Sequence, residues 1–131
     1  MLLLLLACAG CSKRSTTELM QDLKSQRPGD RIAAVRLLSQ RKGEAAKVVP
    51  ALIDALKDNS DDIRWSAAIG LGYFGAKAKE AIPALETAQH DTDARVREAA
   101  GVALCRIDPE KFPPSTTAKA AKEMKPTKKR K

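Results

Sequence analysis

Asp62-Ile63-Arg64-Trp65-Ser66-Ala67-Ala68-Ile69-Gly70-Leu71-Gly72 is answered 33 residues later by Arg95-Val96-Arg97-Glu98-Ala99-Ala100-Gly101-Val102-Ala103-Leu104-Cys105. The step carries Ile63-Arg64 onto Val96-Arg97, Ala67 onto Ala100 and Leu71 onto Leu104. It also carries Pro50-Ala51-Leu52 onto Pro83-Ala84-Leu85. Taken back by the same interval, Arg64 falls on Arg31, Ala67 on Ala34, Leu71 on Leu38, Leu52 on Leu19 and Leu56 on Leu23. Three copies of one unit therefore fill most of the chain. A fixed period of this size is the signature of a solenoid, in which no unit buries its apolar face alone and stacking makes the core. Such folds present a surface rather than a catalytic cleft, so the pattern points to binding.

Each unit reads as two helices, which we call A and B. In the second unit the apolar residues Val48, Val49, Leu52, Ile53 and Leu56 make the one-sided stripe of a helix from Val48 to Lys57. Pro50 is expected early in that helix, where a missing N–H matters least. Asp58-Asn59-Ser60-Asp61 is turn chemistry that supplies an N-cap. The B helix is predicted from Asp62 to Phe74, with Ile63, Ala67, Ala68 and Leu71 inward and Gly75 as its terminator. The third unit predicts helices over Pro83–Gln89 and Ala94–Ile107. The first predicts them over Thr17–Gln26 and Arg31–Gln40, with a turn at Arg27-Pro28-Gly29-Asp30.

The recurring Ile63-Arg64 and Val96-Arg97 runs, with their alanines and leucines, resemble the HEAT-repeat signature. They are most like the short repeats also found in phycobilisome lyases. The resemblance covers about residues 17–107 and recurs in register three times. It implies an all-α fold, an α-solenoid of about three stacked helical hairpins (17–44, 47–77 and 80–107), right-handed, with the B helices on the concave side.

Composition agrees with one thin core. Aromatics are 3% of the 131 residues, so Leu, Ile, Val and Ala must fill the interior. The net charge of +8 is uneven, with +2 over residues 1–108 and +6 over 109–131. The stretch 108–131, with Pro113-Pro114 and lysines at 119, 122, 125, 128, 129 and 131, is expected to be a disordered basic tail able to touch an anionic surface. No pair of cysteines has metal-ligand spacing and His90 stands alone, so no metal, cofactor or catalytic residue is expected.

Leu2 to Leu6 followed by Ala7-Cys8-Ala9-Gly10-Cys11 resembles a bacterial lipoprotein signal. The resemblance implies a signal segment at 1–10, lipid on Cys11 and a polar tether at 11–16. Cleavage before Cys8 is the competing reading. No Lys or Arg precedes the leucines, which implies a basic segment upstream of Met1. The run is too short to span a bilayer, which takes about 20 residues, so the expected state is anchored rather than spanning.

Three features compete as sites. Gly70-Leu71-Gly72-Tyr73-Phe74-Gly75 spells GxGxxG, but a dinucleotide loop needs a preceding strand and a following helix, and here a helix precedes. Arg31, Arg64 and Arg97 recur with Asp30, Asp61, Asp62, Asp91 and Asp93 in the turns. The expected role is to tie one repeat to the inter-helix turn of its neighbour. Cys105 is expected to be a small buried hydrophobe without an activating partner.

Trp65 is the sharper candidate. Its equivalents are Ile32 and Glu98, and a position that accepts Glu is not core. Trp65, Ile69 and Tyr73 share a helical face outside the Ala67/Leu71 stripe. With Arg36 on the preceding B helix and Arg106 on the following one, they form a mixed aromatic, apolar and basic strip. Trp, Tyr and Arg dominate protein interfaces. Core packing of Trp65 is the alternative.

The sequence therefore predicts a non-enzymatic, monomeric adaptor or scaffold at the bacterial cell envelope, binding a protein partner through the B-helix face. A nucleic-acid-binding or anionic-polymer-binding helical repeat with a polybasic tail, and a subunit of a lyase-like enzyme complex, are the alternatives, and the cytoplasm is the alternative location. Nothing in the sequence identifies the partner.

Overall fold

The computed structural model describes residues 14–114. They form six α-helices in chain order: α1 (Thr16–Asp22), α2 (Pro28–Leu38), α3 (Ala45–Ala55), α4 (Asp61–Phe74), α5 (Ile82–Ala88) and α6 (Ala94–Ile107). Short 3-10 turns at Lys42–Glu44 and Gly75–Ala81 lead into α3 and α5. No strand occurs among the described residues. The B helices α2, α4 and α6 lie side by side, and α1, α3 and α5 each pack on the B helix of their own unit.

The 33-residue period becomes a pair of leucine rows in the core. Leu19, Leu52 and Leu85 come from the A helices, and Leu38, Leu71 and Leu104 from the B helices; all six are fully buried. Burying one such side chain stabilises by about 2 kcal/mol. Between the rows Ala34, Ala67 and Ala100 are buried on the B helices and keep them close together.

Two glycines set the closest approaches. A Cβ on Gly70 would collide with Ser39 Oγ on the α2 side and lie 3.3 Å from Leu52 Cδ1. A Cβ on Gly72 would lie 3.2 Å from Ala103 Cα on α6. Gly75 then ends α4 with φ 54, a conformation that a side chain disfavours. The GxGxxG string is therefore two packing glycines and a terminator.

Local chemistry sets the helix starts. Ser15 and Glu18 make a reciprocal capping box on α1. Asp93 caps α6 by accepting from the N–H groups of Arg95 and Val96.

Several boundaries differ from the sequence expectation. Pro28 opens α2, so Pro28-Gly29-Asp30 is its first turn rather than a loop. Helix α3 begins at Ala45, which leaves Pro50 inside it on its exposed side. Ser60 stands at the N-cap of α4 without a side-chain bond, and Asp58 instead accepts from the Ser60 N–H. The tether assigned to 11–16 ends inside the fold. Thr16 is buried and donates to Glu44 Oε1, and the carbonyl of Arg14 accepts from Arg41.

The tail assigned from 108 also starts inside the fold. Lys111 pairs with Glu86, and Phe112 packs on the core. Cys8, Cys11 and the lysines from 119 onward lie outside the described residues.

A candidate partner-binding face

Helices α2, α4 and α6 present one continuous side, and α4 forms its ridge. Trp65, Ile69 and Tyr73 recur at four-residue steps along α4, so they stand in one row. Trp65 and Ile69 are half-buried, with their inner edges against the core. Tyr73 is 52% exposed. The ridge separates two grooves. The one toward α6 has a volume of about 460 Å³ and is floored by Gly72, Ala99 and Ala103. Its far wall is Arg95, Glu98, Val102 and Arg106. The groove toward α2 is smaller, about 260 Å³, and Arg36, Ser39 and Gln40 wall it.

The five residues singled out from the sequence, Trp65, Ile69, Tyr73, Arg36 and Arg106, thus line two adjoining grooves. The small floor residues matter: only Gly and Ala leave depth beneath an aromatic ridge. Val102, at 47% exposure, adds an apolar wall. Such a surface is apolar at its centre and charged at its rim, which is the anatomy of a protein interface.

Cations stack on both aromatic rings. Arg95 lies 6.0 Å from the Trp65 ring centre and Arg106 lies 5.6 Å from that of Tyr73. Arg95 is the residue that sequence reasoning missed. Extending the row Glu98, Val102, Arg106 one turn upstream would have reached it. It is held by carboxylates on two repeats: Asp61 at 3.4 Å, Asp62 at 3.0 Å and Asp93 at 3.2 Å. The Asp93 carboxyl is lowered to about 2, first by its hydrogen bond from Arg95. Arg36 and Arg106 have no carboxylate partner among the described residues, so the free positive charge of the face lies at its two rims.

The repeated arginines belong to the scaffold. Arg31 grips Asp58 and Arg64 grips Asp91, each through Nε and Nη2, at 2.8–3.2 Å. Each pair joins one repeat to the inter-helix turn of the next, as the sequence suggested. Of the acids expected, Asp91 takes this role, and Asp58, which the expectation did not name, is its counterpart. Asp58 and Asp91 are the acceptors, while Asp61, Asp62 and Asp93 serve Arg95, and Asp30 bonds Ser25 and Arg27. Cys105 is not buried as expected: it is a free thiol, half-exposed at the end of the stack.

Among the described residues no three His, Cys, Asp or Glu side chains cluster to hold a metal ion. None of their helices is long and apolar enough to cross a membrane. No curated protein matches the chain. The family model for HEAT repeats matches residues 16–105, the span that carries the two leucine rows and the arginine ladder, and the chain belongs to the HEAT-repeat family.

Proposed function

We propose that this chain is a non-enzymatic adaptor that binds a protein partner along the B-helix face and is held at the bacterial cell envelope by lipid on Cys11. HEAT repeats are typically protein-interaction modules, which supports the first part. The observation that carries it is the aromatic ridge between two grooves, with arginines at both rims that have no carboxylate partner among the described residues. Aromatic anchors supply contact area at low ordering cost, and arginine supplies directional rim contacts. The leucine run ending in Ala9-Gly10-Cys11 supports the anchor, and the lysines beyond 118 support an added contact with anionic head groups.

A photo-crosslinking residue at Ile69, in the full chain expressed in cells, tests the binding face. A partner protein should be captured, and Trp65→Ala with Tyr73→Ala should abolish capture while the protein stays folded. Unchanged capture by the double variant would remove this face from the function. Intact-mass spectrometry of membrane fractions tests the anchor, with an acylated Cys11 expected. Unmodified protein retaining Met1 in the soluble fraction would eliminate it.

A further inference from the structure

The groove between α4 and α6 carries opposite charges at its two ends. The two helices run the same way: Arg95 lies over Trp65 near the start of both, and Arg106 lies over Tyr73 near their ends. At the starting end Asp61, Asp62 and Asp93 share the one guanidinium of Arg95. Glu98 stands on the same wall without a cation partner among the described residues. Arg64, whose charge also reaches Asp61 and Asp93, is committed to Asp91. That end is therefore negative. At the far end Arg106 has no carboxylate partner among the described residues. Asp108, the nearest acid along the chain, accepts from the Lys111 N–H. That end is therefore positive.

The lining dictates the backbone of an occupant. Every residue of it belongs to α4 or α6, so its N–H and C=O groups serve those helices. An extended segment would bring unpaired N–H and C=O groups onto Ile69, Val102 and a floor of Gly72, Ala99 and Ala103, where nothing meets them. A helix arrives with those groups already satisfied. The small floor residues admit apolar side chains from one side of it. From Arg95 to Arg106 α6 rises about 16 Å, the length of about three turns. Charge then sets direction. A helix favours acids in its first turn and bases in its last, because of its dipole. Bringing those acids to Arg106 and those bases to the negative end makes it run opposite to α4 and α6.

We propose that the groove between α4 and α6 takes an amphipathic helix of the partner protein, about three turns long and antiparallel to both. This deepens the reading of the B-helix face as the binding face and rests on it. Acids in the first turn of the partner helix meet Arg106. Bases in its last turn meet Asp61, Asp62 and Glu98, and its apolar side fills the floor between.

The probe is a displayed library of helical peptides of about three turns, selected against the full chain. Each member carries leucines along one side and Glu, Lys or Ser at free positions in its first and last turns. Trp65 is the only tryptophan of the chain, so its emission reports occupancy by selected peptides that contain none. Selection should enrich Glu in the first turn and Lys in the last, and the selected peptides should shift Trp65 emission saturably. Arg106→Glu, with unchanged circular dichroism, should weaken them about tenfold or more. Changing the first-turn Glu of the peptide to Lys should restore binding to that variant, and the same exchange in the last turn should not. Absence of binding, indifference to charge, the opposite charge order or failure of the rescue overturns the proposal. If Ile69 still captures a protein, that failure belongs to the helix alone; if it captures nothing, the binding face falls as well. Two outcomes without peptide overturn the choice of occupant. One is a Trp65 emission shift that grows with protein concentration, which assigns the groove to a second copy. The other is an emission shift on deleting residues 115–131, which assigns it to the chain's own extension.

Discussion

Arg64 and Asp91 meet edge to edge across a repeat boundary, with Nε 2.8 Å from Oδ2 and Nη2 3.0 Å from Oδ1. The side chains are only 14% and 12% exposed, so water competes little for either partner. The Asp91 carboxyl is accordingly held below its usual range, first by the hydrogen bond from Arg64.

Removing that grip should loosen the stack. Arg64→Ala should destabilise the domain by about 2 kcal/mol, because it leaves a poorly solvated carboxylate without its donor. Arg97→Ala, which removes no carboxylate contact among the described residues, should stay within about 0.5 kcal/mol of the parent. Urea midpoints followed by circular dichroism decide the matter; equal losses would mean that the carboxylate grip does not hold the repeats together.

Acid should act through the same groups. Asp91 and Asp93 have lowered pKa values in the folded state, so folding favours their charged forms. Their contribution is complete above the unfolded carboxylate pKa of about 4 and fades as pH falls through the folded values. The thermal midpoint should be nearly level from pH 7 to about 5 and fall below about pH 4. Arg64→Gln should fall less steeply over that lower range, since Asp91 then titrates near its unfolded value. Parallel curves for the two proteins would contradict the assignment.

The α2–α4 contact can be tested by filling it. Gly70→Ala should cost about 1–3 kcal/mol, since the new methyl meets Ser39 Oγ. Ser39→Ala removes that oxygen, and its bond to the Val35 carbonyl, so the double variant should recover most of the loss. A double-mutant cycle without coupling would show that Leu52 or the backbone, not Ser39, limits the approach.

Ridge and core should separate cleanly. Leu71→Ala should cost about 2–5 kcal/mol, as a fully buried leucine in a small core. Trp65→Ala should cost clearly less, because the indole keeps one face in the groove. Equal costs would place Trp65 in the core and withdraw it as an interface anchor.

The parts of the fold legible in the sequence were those repeated in register. Leu52, Leu71, Leu85 and Leu104 announce their burial because the same residue returns every 33 positions. At Trp65 the shared position with Glu98 pointed away from the core, and the structure leaves the indole half-buried, one edge against the core and one in the groove. What escaped depends on a single copy. Pro50 lies inside α3 because the helix starts upstream at Ala45, on alanines that carry no boundary signal. Arg95 lies on the helical row of Glu98, Val102 and Arg106, but that Asp61, Asp62 and Asp93 converge on it from two repeats is set by stacking, not by linear spacing. The depth of the groove comes from Gly72 and Ala103, whose small size reads in a sequence simply as helix packing.

Each carboxylate rung of the ladder spans 27 residues, so none must close a loop longer than one repeat. Ring-closure entropy is therefore the same small quantity at every boundary, and folding can spread from one hairpin to its neighbour. Unfolding should run in the opposite sense and start where the rungs stop. Helix α6, past the last carboxylate rung, should lose its slow amide hydrogen exchange before α4, which is bounded on both sides.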